Sequence, residues 1–344
     1  MADQAQSLRV LADQLRSEHF GSDERSYDGA VVVRVANPPI RFEPTAPRFI
    51  SGSAAADLRL YRSQGRVAPR PHARILAVTS GKGGGGKTNF SANLSIALGQ
   101  RGKRVVMLDA DMGLANAHIM MGANPRYNLE HVMHGSKSLS EVLHRVAHNV
   151  HLIAGGSGIA ELANLSESTR CAFLKGLREL DAVCDLIVID TGAGVANNVL
   201  SFLCAVNEII VVTTPEPTAI ANAYATIKMV SRENRGARLM LVVNMVHSSS
   251  EGEAVARRLS AITSQFLDLE VEYIGCIPFD PTVPRAVRSR TPFVSSAPNC
   301  AAATGINQII RRLGYTTTVD TDRQSGMEGF VSRMQRCFKI GMAT

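Results

Sequence analysis

Residues 75–100 read ILAVTSGKGGGGKTNFSANLSIALGQ, and their three-part grammar decides the fold. Ile75 to Thr79 is a short apolar run of strand length, and Asn89 to Gln100 carries a helical pattern. Between them lies Gly81-Lys82-Gly83-Gly84-Gly85-Gly86-Lys87-Thr88. In such a strand–loop–helix unit, glycines let backbone N–H groups turn inward around phosphates. Lys87 brings positive charge to the β and γ oxygens, and Thr88 offers a hydroxyl to Mg²⁺. Asn89 opens the helix beside them. A glycine run can be a mere turn, but the full eight-residue pattern in this context predicts a nucleotide site. Lys82 is an additional cation at the start of the loop, where a solvated surface charge is the plain alternative.

Outward from the loop, apolar strands alternate with helical stretches. The strands are predicted at Ile75 to Thr79, Val105 to Leu108, Val150 to Ala154, Leu186 to Ile189, Ile209 to Val212, Leu239 to Val243 and Val271 to Ile274. Near-continuous apolar strands separated by helices predict an α/β fold: a doubly wound, mostly parallel sheet with helices on both faces. Two of these strands end in aspartates. Val105 to Leu108 runs into Asp109-Ala110-Asp111, and Leu186 to Ile189 runs into Asp190-Thr191-Gly192-Ala193-Gly194. Carboxylates at the carboxyl ends of strands sit where open α/β sheets bind ligands. Asp190 fits a magnesium-holding role with Thr88 and Asp109, Gly192 and Gly194 allow close backbone approach to the γ-phosphate, and Asp111 is the candidate for orienting water. Helix capping is the plain reading of either Asp109 or Asp111 alone.

The remaining sequence predicts appendages. Residues 1–20 place Leu8, Leu11 and Leu15 on one helical stripe, and 21–73 form a linker with five prolines between 38 and 69. The α/β domain spans 74–313, a polar linker 314–326, and an amphipathic helix 327–344. In that helix Phe330, Met334, Cys337 and Phe338 share a face flanked by Arg333, Arg336 and Lys339, which predicts reversible attachment to an anionic membrane surface; packing on its own domain is the alternative. The six cysteines form no CxxC pair and read as reduced packing residues of a cytoplasmic protein. No apolar stretch is long enough to span a membrane, and the start MADQAQSLRV does not resemble a signal peptide. Of the formal charge of +7, most lies C-terminal: from Arg285 onward nine Lys or Arg face three acids.

The signature lysine Lys82, the switch-like segments Asp111 to Asn116 and Asp190 to Gly194, and the strand–loop–helix order resemble the MinD/ParA superfamily over residues 74–313. That resemblance implies ATP and Mg²⁺ as cofactors and an ATP-bound homodimer in which Lys82 reaches the partner's phosphates. It also implies adenine recognition near Asn244 and Pro278. GGSGIAELANLS (155–166), IDTGAGVANNVLSF (189–202) and VVTTPEPTAIANAYATIK (211–228) resemble its flagellar-number regulators, the FlhG or FleN subfamily. Asp3-Gln4-Ala5-Gln6-Ser7-Leu8-Arg9 is similar to that subfamily's activator motif. The resemblance thus implies that Asp3, Gln4, Leu8 and Arg9 engage an FlhF-like GTPase, with Gln4 reaching its nucleotide site. Flagellar C-ring proteins or a flagellar transcription factor are further implied partners. Two residues depart from the family pattern: Gly85 replaces an aliphatic residue, loosening the loop, and His118 replaces an acidic one.

Three rival readings remain. A reductase resembling the nitrogenase iron protein requires cysteine pairs that are not seen. A ParA-type partition ATPase would hold DNA through Arg285, Arg288, Arg290, Arg311 and Arg312. A weakly hydrolysing regulator would bind ATP and act by docking on a transcription factor.

Overall fold

The computed structural model describes residues 72–111, 115–156, 167–194, 196–314 and 326–340. The strands are β1 (Arg74–Ser80), β2 (Val105–Ala110), β3 (His144–Ala147), β4 (Val150–Ile153), β5 (Leu186–Ala193), β6 (Glu208–Thr213), β7 (Arg238–Val246) and β8 (Glu272–Pro278). They form one eight-stranded sheet in the order β3-β4-β2-β5-β1-β6-β7-β8. Every pairing is parallel except β3 with β4. The expected doubly wound sheet is therefore present. The apolar runs are continuous because helices cover both faces: every residue of β2 and β6 is buried.

The helices of one face are α1 (Lys87–Gln100) and α2 (Ala117–Met120), and, after a short α3 (Leu129–Met133), the later α8 (Thr282–Arg288), α9 (Phe293–Ser296) and α10 (Ala301–Arg312). Their apolar side chains join Leu76, Val78, Met107, Val188 and Val242 in one core. The opposite face carries α4 (Glu167–Leu180), α5 (Asn197–Ala205), α6 (Pro217–Glu233), α7 (Ser249–Leu267) and α11 (Met327–Ile340).

Two elements differ from expectation. The four-residue β3 has only half-buried side chains and no apolar run to announce it; it exists by pairing antiparallel with β4 at the sheet edge. Strand β5 continues four residues past Ile189. Asp190 and Thr191 are fully buried and pair with Asp109 and Ala110 of β2, so the expected loop residues lie within the ladder.

In this structure the terminal helix follows the alternative reading and packs on its own domain. Met327, Phe330, Val331 and Met334 are at most 1% exposed, and α11 packs on α5 and α4. Arg333 Nε donates to the Ala205 carbonyl at 2.8 Å, and Arg178 Nε pairs with Glu328 at 3.3 Å. Four apolar side chains at roughly 1.5 to 3 kcal/mol each outweigh what exposure to water would return, so the face folds inward. Phe330 and Met334 thus contact protein in this structure. The side chains of Cys337 and Phe338 lie outside the described residues, as do the 1–20 helix, most of the 21–73 linker and most of the 314–326 linker.

Candidate nucleotide site

The phosphate loop joins β1 to α1 at the carboxyl edge of the sheet, where strand order switches direction around β1. Each glycine has a different task. A Cβ at Gly81 would lie 2.2 Å from the Asn222 carbonyl carbon of α6, so only glycine lets the chain pass that helix. Gly84 and Gly86 adopt φ of 84° and 81°, the left-handed region that glycine enters without steric cost. Cβ atoms added at Gly83, Gly84 and Gly85 would meet nothing within 4 Å, which leaves the concave side open for an anion at the N-terminus of α1.

Lys87 is 6% exposed, and its Nζ lies 2.8 Å from Asp190 Oδ1 and 3.3 Å from Thr88 Oγ1. Asp190 Oδ1 also accepts from Ser91 Oγ at 2.8 Å, while Asp190 Oδ2 is buried without a hydrogen-bond partner. A buried carboxylate oxygen with an open valence, beside the Thr88 hydroxyl, fits a divalent cation or its water shell. Ser91 escaped the sequence reading. Its signal was present, because residue i+4 from Lys87 on α1 lies on the same helical face.

Asp109, expected as a metal ligand, spends both oxygens on backbone: Oδ1 accepts from the Asp111 N–H at 3.1 Å and Oδ2 from the Ala117 N–H at 3.0 Å. It thereby caps α2 and braces both ends of the switch-like 111–117 segment. Burial, and then the neighbouring Asp190 charge, push its carboxyl up to about 7. Asp111 does approach the second switch: a Cβ on Gly192 would stand 3.7 Å from Asp111 Oδ1. Gly194, at φ 87°, donates its N–H to the Ser80 carbonyl at 2.8 Å, tying that switch to the phosphate loop.

Lys82 stands apart from this cluster. Its Nζ pairs with Glu216 and lies 3.3 Å from Thr218 Oγ1, at the start of α6 and on the surface. Glu216 and Thr218 carried no motif of their own, so only the fold reveals them. His118 lies on α2 with its Nδ1 buried and without a hydrogen bond. Asn244 and Pro278 both line a pocket beside the loop, with Gly86, Asn89, Phe90 and Phe279. The Asn244 amide is already engaged: Nδ2 donates to the Gly85 carbonyl at 2.9 Å, and Oδ1 accepts from the Met245 N–H at 3.0 Å.

This arrangement is one found in known proteins. The family model described as ParA, NUBPL iron-transfer P-loop NTPase, matches residues 72–314. The chain is 34% identical over 261 residues to the antiactivator FleN of Pseudomonas aeruginosa, covering 76% of this chain and 93% of that protein. It is 36% identical over 237 residues to the flagellum site-determining protein YlxH of Helicobacter pylori, covering 69% and 80%. Among solved structures, the septum site-determining protein MinD of Pyrococcus horikoshii with Mg-ADP superposes with a TM-score of 0.57 at 25% identity, covering 70% and 96%. The phosphate loop, its buried lysine–aspartate pair and these matches place the chain in the ParA/MinD family of P-loop ATPases.

Proposed function

We propose that the chain is an ATP-dependent dimerising switch that regulates flagellar number or placement. The observation that carries the switch is the separation of the two loop lysines. Lys87 is buried within its own phosphate site, whereas Lys82 reaches outward, where a second subunit would approach. The flagellar role rests on similarity to FleN and YlxH.

In this reading the open glycine backbone and Lys87 hold the β and γ phosphates, and Thr88 with Asp190 holds Mg²⁺. The metal, when bound, neutralises phosphate charge. Asp111 orients water next to Gly192. Dimerisation requires Lys82 to exchange Glu216 for the partner's phosphates. A half-exposed ion pair is worth about 1 kcal/mol or less, so the exchange costs little. Sedimentation equilibrium with and without ATP tests this. The unaltered chain is expected to dimerise with ATP, and Lys82→Ala to remain monomeric while still binding ATP; normal dimerisation of that variant defeats the reading.

Membrane attachment, in the same proposal, uses the α11 face after it leaves α4 and α5. The connection is structural: α5 begins three residues after Gly194, so movement of the second switch acts on the surface that holds α11. Two helices on one dimer would reinforce each other through effective concentration. The Asp3, Gln4, Leu8 and Arg9 segment is proposed to stimulate an FlhF-like GTPase. GTP turnover with a peptide of residues 1–20, with and without Gln4→Ala, is the measurement; equal stimulation by both defeats that role. Flagellar C-ring proteins or a flagellar transcription factor belong to the same proposal as further partners.

One observation favours a second reading, the DNA partition ATPase. Helices α1, α2, α8, α9 and α10 contain no Asp or Glu, while Arg285, Arg288, Arg290, Arg311 and Arg312 are exposed on that face. Such a face suits phosphate backbones. ATP-dependent, salt-sensitive retention on nonspecific DNA without liposome binding would select it.

A further inference from the structure

A fully buried amide on α1 determines which way a pocket residue faces. Asn93 is 1% exposed. One of its terminal atoms lies 2.8 Å from the backbone carbonyl of Asn89, a group that can only accept, so that atom is Nδ2. The other terminal atom must then be Oδ1, and it lies 3.0 Å from the backbone N–H of Val294, a group that can only donate. The two constraints agree, so its partners alone fix the orientation of Asn93.

The consequence passes to Asn89. Asn93 Nδ2 also lies 2.7 Å from Asn89 Oδ1, so Asn89 turns its carbonyl inward and its NH₂ group away. Asn89 is the third residue of α1, directly after Lys87 and Thr88, and it lines the pocket beside Gly86 and Asn244. It therefore stands between the phosphate loop and the base pocket. An amide held with its donors outward at that place, next to a helix N-terminus, suits an anionic oxygen and repels none. Asn93 meanwhile fastens Val294, next to the pocket-lining Phe293, so both walls are tied to one side chain.

Building on the nucleotide reading above, we infer that Asn93 is a positioning residue that fixes Asn89 as a hydrogen-bond donor to the nucleotide's α-phosphate. Binding of ADP to the full chain, measured by isothermal titration, tests this through a double-mutant cycle. Asn89→Ala is expected to weaken ADP binding about 5- to 20-fold, the loss of one charge-assisted hydrogen bond. Asn93→Asp retains the acceptor for Val294 but cannot donate to Asn89, and is expected to weaken ADP by a similar factor. Combined with Asn89→Ala, it should add little further loss. Asn93→Ala, compared on the same two backgrounds, serves where the buried aspartate prevents folding, and thermal unfolding monitors the structural cost separately. Adenosine, which has no phosphate, should lose much less than ADP in Asn93→Asp, the variant that keeps the acceptor for Val294. Additive losses in both cycles, or an equal loss of adenosine binding, overturn the inference while leaving the nucleotide site standing. Failure of the unaltered chain to bind ADP overturns the nucleotide reading and this inference with it.

Discussion

The phosphate loop and the terminal helix α11 both look, in sequence, like segments waiting for something outside the chain. In the loop, Cβ atoms added at Gly83, Gly84 and Gly85 would meet empty space. On α11, Met327, Phe330, Val331 and Met334 meet the protein itself and are at most 1% exposed. The difference lies in what each pattern specifies. The loop pattern dictates backbone geometry, which only an anion of the right shape completes. An amphipathic pattern specifies only that the apolar face be covered, and leaves open whether by lipid or by α5.

The sharpest way to break this comparison is to make the covered face unable to dock. Met334→Glu buries an unpaired carboxylate, and the cheapest relief is release of α11 from α5 and α4. We expect a destabilisation of about 3 to 5 kcal/mol by denaturant titration. We also expect new protease cleavage within Met327–Ile340. Wild-type protection of α11 would contradict the docked arrangement. If α11 is the membrane anchor once released, ATP should increase pelleting of the unaltered chain with anionic liposomes, and a chain ending at Gly326 should not pellet.

A smaller effect distinguishes the glycines of the loop from one another. Gly81→Ala drives a methyl group into the α6 backbone, and about 1 to 3 kcal/mol of stability should be lost, with nucleotide binding reduced. Gly85→Ala meets nothing and occupies no positive φ, so it should gain about 0.4 to 1 kcal/mol by restricting the unfolded chain. Equal thermal shifts for the two variants would erase the distinction between packed and open glycines.

The smallest expected effect is titratable. His72 is held above its ordinary value by a hydrogen bond to Asp181, with Nδ1 to Oδ2 at 2.7 Å, and by that carboxylate's charge. A raised histidine stabilises the fold fully below the unfolded value near 6.5 and loses that contribution as pH rises through the folded one. His72 is 63% exposed, so solvent screening leaves only a few tenths of a kcal/mol. His72→Ala should therefore lower the melting temperature slightly at pH 5.5 and not at pH 8.5, read by thermal scans.

Much of the fold was legible because each parallel strand is a continuous apolar run and each helix a period of its own. Seven strands and the loop follow from those local patterns. β3 was hidden, since HRVA has no apolar run and is a strand only through its partner. The placement of Lys87, Thr88, Asp111 and Asp190 around the phosphate loop was legible from motif and position. The supporting partners Glu216 and Asn93 were not, because they act through contacts between residues 134 and 201 positions apart. Asp109 shows the limit of a motif: an aspartate at a strand end suits a metal or a helix start alike, and here its two oxygens accept from the backbone of Asp111 and Ala117.

The two margins of the sheet carry a consequence for self-association. On one side β3 is four residues long and antiparallel; on the other, β8 takes φ 138° at Gly275, and its register against β7 shifts twice. Short, kinked margins make poor templates for another chain's backbone. Copies of this protein therefore have little opportunity to merge their sheets into a continuous ribbon. Any encounter between them is left to side chains, which can part again, rather than to main-chain zippering.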